Sequence, residues 1–546
     1  MKESAVEKIK KESRGLRGNL ELEVANQVTL GMTEDSAQLM KLHGSYLQDD
    51  RDSRQRRAEK GLENLYSFMI RLRIPAGIVS SKQWKVIDDV SMKYANETIK
   101  ITTRQTVQYH GIFKFNLKPS LKEVYEAANL DSIAACGDVN RNVIATSCVW
   151  NAKIFKEITR FSTEISEEFL PKTNAYHEIW LDGERMNPEN EKDELYQDRY
   201  LPRKFKIAIA VPPLNDVDVF AHDIGLIAML NDAKDAILGY NVCVGGGLGT
   251  THGNEKTYAR LGSEIGFVNP QDAISLMRRI IEIQRDNGNR EDRKQARLKY
   301  TIDKLGLEWF VDELQRRSNI VLENARSYEF ESRVEKYGLQ KCDDGSHFYT
   351  MFVEGGRLKG LQKDATTQIA QEINCDFVMT CNQNLVIANV QNEDLPKLSE
   401  IIAKYNLDSQ SEISDARKSA IACVAIPTCP LALAEAERYL PSLIAKIDDI
   451  MQEIGLSSKQ RDVDIRMTGC PNGCGRPYLA EIGFIGKSAG KYNMLLGGSK
   501  DGSRLNRLYK ESLSEDDILS ELRAFFGEYK NSSQTFGDFT HNKLFN

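Results

Sequence analysis

Apolar and polar positions along this chain recur with two periods, and the switches between them mark out its elements. Tyr66-Ser-Phe-Met-Ile-Arg-Leu-Arg73 alternates and predicts a strand ended by Pro75 and Gly77. Gln83 to Tyr94 predicts a helix. Thr98 to His110 alternates again, and Gly111 is expected to break it. Ser120 to Asn129 reads as a helix with Ser120 as its cap. Strand, helix, strand, helix suggests a small ferredoxin-like α+β unit. Further on, a helix is expected over Lys153 to Phe169, a strand over His177 to Leu181, and an acidic loop from Asn187 to Asp198. The run from Ile207 to Val211 predicts a buried strand. Another strand is read over Gly239 to Gly249, followed by helices at Asn269 to Asp286 and Arg293 to Leu305.

The pattern repeats. Arg104-Gln-Thr-Val-Gln-Tyr-His returns as Asn382-Gln-Asn-Leu-Val-Ile-Ala. Ile224-Gly-Leu-Ile with Tyr240-Asn-Val-Cys-Val-Gly-Gly returns as Ile482-Gly-Phe-Ile with Tyr492-Asn-Met-Leu-Leu-Gly-Gly. Two pseudosymmetric halves with a site between them are predicted, joined by the charge-rich stretch from Arg326 to Gly345.

Composition narrows the class. The 546 residues allow several cores, with 41% hydrophobic and 28% charged residues, as in ordinary globular proteins. Seventy-three basic and 79 acidic residues leave a net charge of −6, which argues against a nucleic-acid partner. No run is apolar enough for a membrane span. The start, Met1-Lys-Glu-Ser-Ala-Val-Glu-Lys, does not read as a signal peptide, and ten scattered cysteines then point to a reducing cytoplasm.

Four of those cysteines carry the chemistry. Cys423 and Cys429 lie in Ile421-Ala-Cys-Val-Ala-Ile-Pro-Thr-Cys-Pro, and Cys470 and Cys474 in Thr468-Gly-Cys-Pro-Asn-Gly-Cys-Gly-Arg-Pro. Proline and glycine force tight turns at both pairs, and paired thiolates are ligands for soft metals. Zinc ribbons favour a two-residue gap. Gaps of five and three fit a [4Fe–4S] cluster better.

With the second pair set inside Thr-Gly-Cys-Pro-Asn-Gly-Cys, the chain resembles the sulfite and nitrite reductase hemoprotein family over nearly its whole length. The resemblance implies an α+β fold, a pseudo-two-fold repeat of ferredoxin-like small domains and larger cofactor-binding α/β domains. It implies an N-terminal arm at 1–60 that packs on the body, ferredoxin-like domains at 61–135 and 326–410, a siroheme-binding domain at 136–325, and a [4Fe–4S]/siroheme-binding domain at 411–546. The four cysteines would hold the cluster, and Cys474 would also be axial to the siroheme iron. The activity implied is the six-electron reduction of sulfite to sulfide in assimilatory sulfate reduction. Asn140-Arg-Asn-Val-Ile-Ala-Thr-Ser looks like the sulfite branch, not the nitrite branch. Ala76 departs from the glycine common in this turn of the family. No flavin or nicotinamide motif is present, so an NADPH-oxidising flavoprotein is the partner implied, with ferredoxin the alternative donor and a ferredoxin-dependent sulfite or nitrite reductase the alternative enzyme. A non-catalytic iron–sulfur carrier is the rival of a different class.

A polycarboxylate tetrapyrrole and a sulfite anion both need cations. By resemblance, Arg73, Arg141, Lys204 and Lys206 line the substrate face of siroheme. Lys204 and Lys206 would share a strand face. Arg104 and Arg203 would pair with siroheme carboxylates, as would Arg290, Arg293, Lys294 and Arg297. The glycines from Gly245 to Gly249 and at Gly497 and Gly498 would let backbone approach a flat macrocycle. Seven histidines without a ligand-spaced pair disfavour a histidine-ligated heme, and His110 and His252 read as structural.

Overall fold

Four five-stranded sheets organise the chain, which a computed structural model describes at residues 3–172 and 193–546. The strand expected at His177 to Leu181, and the loop from Asn187 up to residue 192, lie outside the described residues. The first sheet runs β1 (Ser45–Asp49), β2 (Tyr66–Arg71), β5 (Val107–Ile112), β4 (Ile99–Ile101) and β13 (Arg357–Leu358), all antiparallel. A second sheet matches it strand for strand: β11 (Gly338–Lys341), β12 (His347–Met351), β15 (Leu385–Val390), β14 (Asp376–Met379) and β3 (Ile78–Ser80). The last strand of each comes from the other half. β13 belongs to the second half by sequence and closes the first sheet, while β3 does the reverse. Neither ferredoxin-like half, taken at 61–135 or 326–410, completes its own sheet. One core lies across both, with Trp84 and Phe377 stacked at 4.7 Å.

The larger sheets repeat the symmetry. One is β6 (Ile144–Ala145), β7 (Ile207–Ala210), β8 (Ile224–Leu230), β9 (Ile237–Val244) and β10 (Ser263–Val268). The other is β16 (Ile421–Ala422), β17 (Ile465–Thr468), β18 (Ile482–Ser488), β19 (Lys491–Leu496) and β20 (Arg507–Leu513). In each, the first three strands are parallel and the last two join antiparallel. β7 and β17 are buried along their whole length, as parallel central strands must be. The paired glycines end matching strands because backbone runs beside them. A Cβ on Gly246 would sit 2.1 Å from the Phe220 carbonyl oxygen, and one on Gly498 2.3 Å from that of Ala480.

Local expectations shift in several places, among them the helix read over Arg293 to Leu305, which forms only from Leu298, and the strand read to Gly249, which ends at Val244. The helix read from Ser120 starts at Leu117, because Ser120 turns its hydroxyl back onto the Leu117 carbonyl at 3.0 Å instead of capping. The alternating run from Thr98 to His110 is two strands, since Thr102 and Thr106 close a turn with Gln105 at a positive φ of 49°. Gly111 does not break that run. It stays inside β5. The arm is built into the body, as β1 joins the first sheet and four short helices, Ala5–Glu12, Leu20–Ala25, Glu34–Met40 and Arg54–Glu59, flank it.

Buried charge joins the halves. Asp218, fully buried, accepts from Arg333 of the connection at 3.1 Å and pairs with Arg466 and Arg476 of the second half. Arg333 also reaches Asp464 at 2.6 Å. Asp218→Asn leaves three buried guanidinium groups short of their common carboxylate. It is expected to cost about 3–5 kcal/mol, read as a lower urea midpoint at unchanged slope. A parent-like midpoint would show that Asp464 alone balances these cations. Asp216, close by, behaves oppositely. Burial, with Glu335 facing it, pushes its carboxyl up from 3.8 to about 7. A folded value above the unfolded one gives stability that is full below pH 4 and lost as pH rises through 7. Asp216→Asn should therefore flatten the fall of Tm over that window, and a fall as steep as the parent's would assign it to another group.

Candidate active site

The cysteine loops start where parallel strands end. Cys423 follows β16, and Cys470 follows its neighbour β17 through Gly469, so both lie at the carboxyl edge of one sheet, where open α/β sheets bind ligands. A Cβ on Gly469 would meet the Ala434 carbonyl at 2.5 Å, and Gly473 turns at a φ of +66°. The Gly469 amide donates to the Cys423 sulfur at 3.3 Å, and the Asn472 amide group to the Cys470 sulfur at 3.5 Å. Burial, and then the field of Cys474, raises Cys423 and Cys470 above the ordinary thiol value and pushes Cys429 up to about 12. Protons held this way leave when a metal binds. Among the described residues, no three ligand side chains converge on a single ion. The four thiols nevertheless lie within one another's field.

The arm and the first half close over these loops. Arg51 donates through Nη1 to the carbonyls of Cys429 and Ala432 at 3.2 and 2.7 Å, and its backbone amide to Pro427 at 3.2 Å. Its neighbour Asp52 accepts from Arg438 at 2.6 Å. From the first half, the Thr250 amide donates to Pro471 at 2.9 Å, and a Cβ on Gly249 would lie 3.0 Å from the Asn472 carbonyl. Cys474, alone of the four, is exposed. The Thr103 hydroxyl donates to its carbonyl at 3.0 Å.

Cys474 faces positive charge. Phe205 is buried and bridges Asn140, leaving Lys204 and Lys206 on either side of it in the approach to β7, half-buried. Among the described residues, neither ammonium has a hydrogen-bond or ion-pair partner. Lys204 feels Arg203, Arg141, Arg297 and Cys474, and Lys206 feels Lys204, Arg104, Arg297 and Arg141. Burial first, then those cations, hold both lysines well below 10.5. Burial likewise takes Arg104 down to about 9 and Arg203 to about 10. Arg104 rides on the Thr102–Thr106 turn, donates to the Asn142 carbonyl, and has a buried Nε with no acceptor. His222 steadies it. The Val217 carbonyl, 2.9 Å from Nε2, needs the proton there, so Nδ1 accepts from Arg104 at 3.3 Å.

Comparison with known proteins now decides the family. A profile described as "Nitrite/Sulfite reductase ferredoxin-like half domain" matches residues 61–127 and 340–405, and one described as "Nitrite and sulphite reductase 4Fe-4S domain" matches residues 162–322. The chain is 50% identical, over 98% of its length and 94% of the relative's, to the sulfite reductase [NADPH] hemoprotein beta-component of Staphylococcus epidermidis. It is 49% identical to that of Bacillus subtilis, covering 98% and 95% of the two chains. It belongs to the nitrite and sulfite reductase family. In fold it is similar to the Mycobacterium tuberculosis NirA protein, with a TM-score of 0.79 over 99% of this chain and 97% of that one at 22% identity.

The family implies a [4Fe–4S] cluster and a siroheme, and the residues fit both. Four neighbouring thiols suit the cluster. Lysines without a partner and an orphaned Arg104 Nε suit a polyanion beside Cys474, whereas the glycines at 245–249, expected to face the macrocycle, pack on the Phe220 and His222 carbonyls, Arg260, Arg297 and Asn472.

Not every expected cation stands there. Arg73 is spent elsewhere, paired with Asp131 at 2.6 Å and Glu167 at 2.7 Å, which removes it from the substrate face. Arg71, two residues earlier, has no carboxylate partner among the described residues. It lies by Cys136, with its Nη1 3.4 Å from the sulfur, and its field reaches Tyr46 and Arg104. Arg141 extends toward Tyr46 at 3.5 Å in the same group. Arg290 is held by Glu7 and the Tyr200 carbonyl, and Arg293 is forked onto Asp138 at 2.6 and 2.8 Å. Arg297 is forked onto Asp223 at 3.1 and 2.7 Å. Lys294 is exposed. The three arginines are therefore committed to carboxylates of the protein, and Lys294 alone of the four is not. Arg297 instead supports the pocket, because the Asp223 it holds also takes the Lys206 amide at 2.9 Å. His110 is buried in β5, while Arg51, Arg71, Thr103 and His222 were missed as site residues.

Arg51→Met keeps an apolar stem but removes both side-chain ties to the cysteine loop. Hydrogen bonds from charged donors contribute about 1.5–3 kcal/mol, so iron release to a chelator should quicken by about tenfold or more. An unchanged rate would show that the Pro427 contact alone holds the loop.

Proposed function

We propose that this chain is the hemoprotein component of an assimilatory sulfite reductase, reducing sulfite to sulfide with six electrons. The observation that carries this reading is the group of cations without a carboxylate partner at Arg71, Arg141, Lys204 and Lys206, next to the exposed Cys474, in a chain about half identical to sulfite reductase hemoprotein components. Siroheme coupled to the cluster supplies the one-electron chemistry. The protein binds the anion, orients it and delivers protons. Arg71 and Arg141 offer planar forks to sulfite oxygens. Lys204 and Lys206, whose protons are loosened by burial and by each other, donate as the oxygens leave as water. Arg104 and Arg203 hold cofactor carboxylates. An NADPH-oxidising flavoprotein supplies the electrons, since the beta-component named in the relatives implies another component, and ferredoxin is the alternative donor. Among the described residues no helix is long and apolar enough to cross a membrane, and ten free thiols favour a reducing cytoplasm.

The test starts with the purified protein. It should contain four acid-labile sulfides and five irons, show siroheme bands, and reduce sulfite with reduced methyl viologen but not with NADPH. Stoichiometric zinc without a chromophore would sink the reading. Nitrite turned over far better than sulfite would move it to the other branch. Lys206→Met should lose about 10²- to 10³-fold in turnover with cofactors retained, whereas Arg104→Met should lose siroheme first. Arg71→Met should weaken sulfite binding and Arg73→Met should lower stability alone. The reverse pattern would restore Arg73 to the substrate face.

A further inference from the structure

Beside Cys423 lies a second charged group that the sulfite pocket does not use. Lys100 of β4 stands directly across from Arg357 of the exchanged strand β13. Two cations opposed in this way repel. Glu437, from the cysteine-bearing domain, lies between them. Lys100 Nζ donates to its Oε2 at 2.8 Å, and Arg357 donates to Oε1 and Oε2 at 2.8 and 3.2 Å. Lys100 also donates to the Gly355 carbonyl, and Arg357 to the Thr98 hydroxyl at 3.1 Å. All three side chains are buried or nearly so, at 2%, 15% and 13% exposure. Glu437 is tied to the ligand loop itself, its amide donating to the Cys423 carbonyl at 3.1 Å.

The formal sum is one positive charge. Other groups nearby leave it unchanged. His110 is buried in the same sheet, and desolvation with the Arg357 cation keeps it neutral. Glu354 and Arg417 pair with each other. Holding two buried cations on one carboxylate is costly unless another negative charge shares them. Cys423, a thiolate once it ligates metal, would supply that charge; burial lowers the Lys100 pKa, and Glu437 and Cys423, in whose field it lies, oppose that. Resting on the cluster reading above, we infer that Lys100, Arg357 and Glu437 form an electrostatic positioning group that favours the reduced state of the cluster. Each electron adds negative charge beside a fixed positive one. The group also links electron uptake to the strand exchange, since it assembles only when β13 from the second half lies against β4 of the first.

Charge counting gives the test. Lys100→Met takes the group from one positive charge to none, Glu437→Gln takes it to two, and the double variant returns it to one. Redox titration of the holoprotein, followed by the EPR signal of the reduced cluster, should show a lowered midpoint for Lys100→Met, a raised one for Glu437→Gln, and a near-parent value for the double variant. At a fixed poise each single change should alter the reduced-to-oxidised ratio about tenfold, which is about 59 mV for one electron. A purely structural role predicts shifts of one sign, or cluster loss, in both. Same-sign shifts, or parent-like midpoints with full iron and sulfide, overturn the inference. If Glu437→Gln does not fold, Lys100→Met and Arg357→Met must each lower the midpoint, and a parent-like value in either overturns it. A parent protein lacking iron and sulfide would instead fail the cluster reading, before any variant is made.

Discussion

Unpaired positive charge is the constraint that this fold is built to hold. Lys204, Lys206, Arg104 and Arg203 repel one another at close quarters, and none of their side chains is neutralised by a carboxylate among the described residues. Side chains in that position would turn outward to water if their backbone allowed it. Rigid attachments prevent this: Arg104 is fixed on a hairpin turn with its guanidinium on Asn142 and His222, and Lys206 is fixed through Asp223 and Arg297. Carboxylates are plentiful just behind the pocket, where Asp138, Asp223, Asp131 and Glu7 neutralise the arginines that do not face it. The molecule thus sorts its cations into a satisfied outer set and an unsatisfied inner set.

That sorting explains what could be read in the chain and what could not. The cysteine pairs were legible because ligand spacing is local, and turns built from proline and glycine declare themselves within ten residues. The repeat was legible because matching strands carry matching glycines, and at Gly246 and Gly498 a Cβ would sit only 2.1–2.3 Å from a neighbouring carbonyl oxygen. The choice between Arg71 and Arg73 was not legible. Two arginines two residues apart look alike, and Asp131 and Glu167, which claim Arg73, lie some 60 and 90 positions further on. The basic run from Arg290 to Arg297 misled for the same reason, since its carboxylates at Glu7, Asp138 and Asp223 are scattered through the chain. Ser120 shows the local form of the problem, as a serine inside a helix can bond backward as readily as it caps.

The exchange of β3 and β13 was not legible either, since strands of two or three residues leave almost no periodic signal. It makes the ferredoxin-like halves one structural unit with one core, and it brings Arg357 to Lys100 beside the cluster loop.

This exchange also sets a clock on the ribosome. The first sheet has four of its strands once residue 112 has emerged, but its edge beyond β4 stays open until Arg357 and Leu358 arrive. At about 5–20 residues per second, that edge waits on the order of tens of seconds. The Cys470 loop comes later still, with only β18 to β20 and two helices left to synthesise. An N-terminal half with a complete sheet of its own could shape a cofactor pocket early and hold it empty. This one leaves its first sheet open until β13 is made, and the thiols that face the cationic surface follow later still.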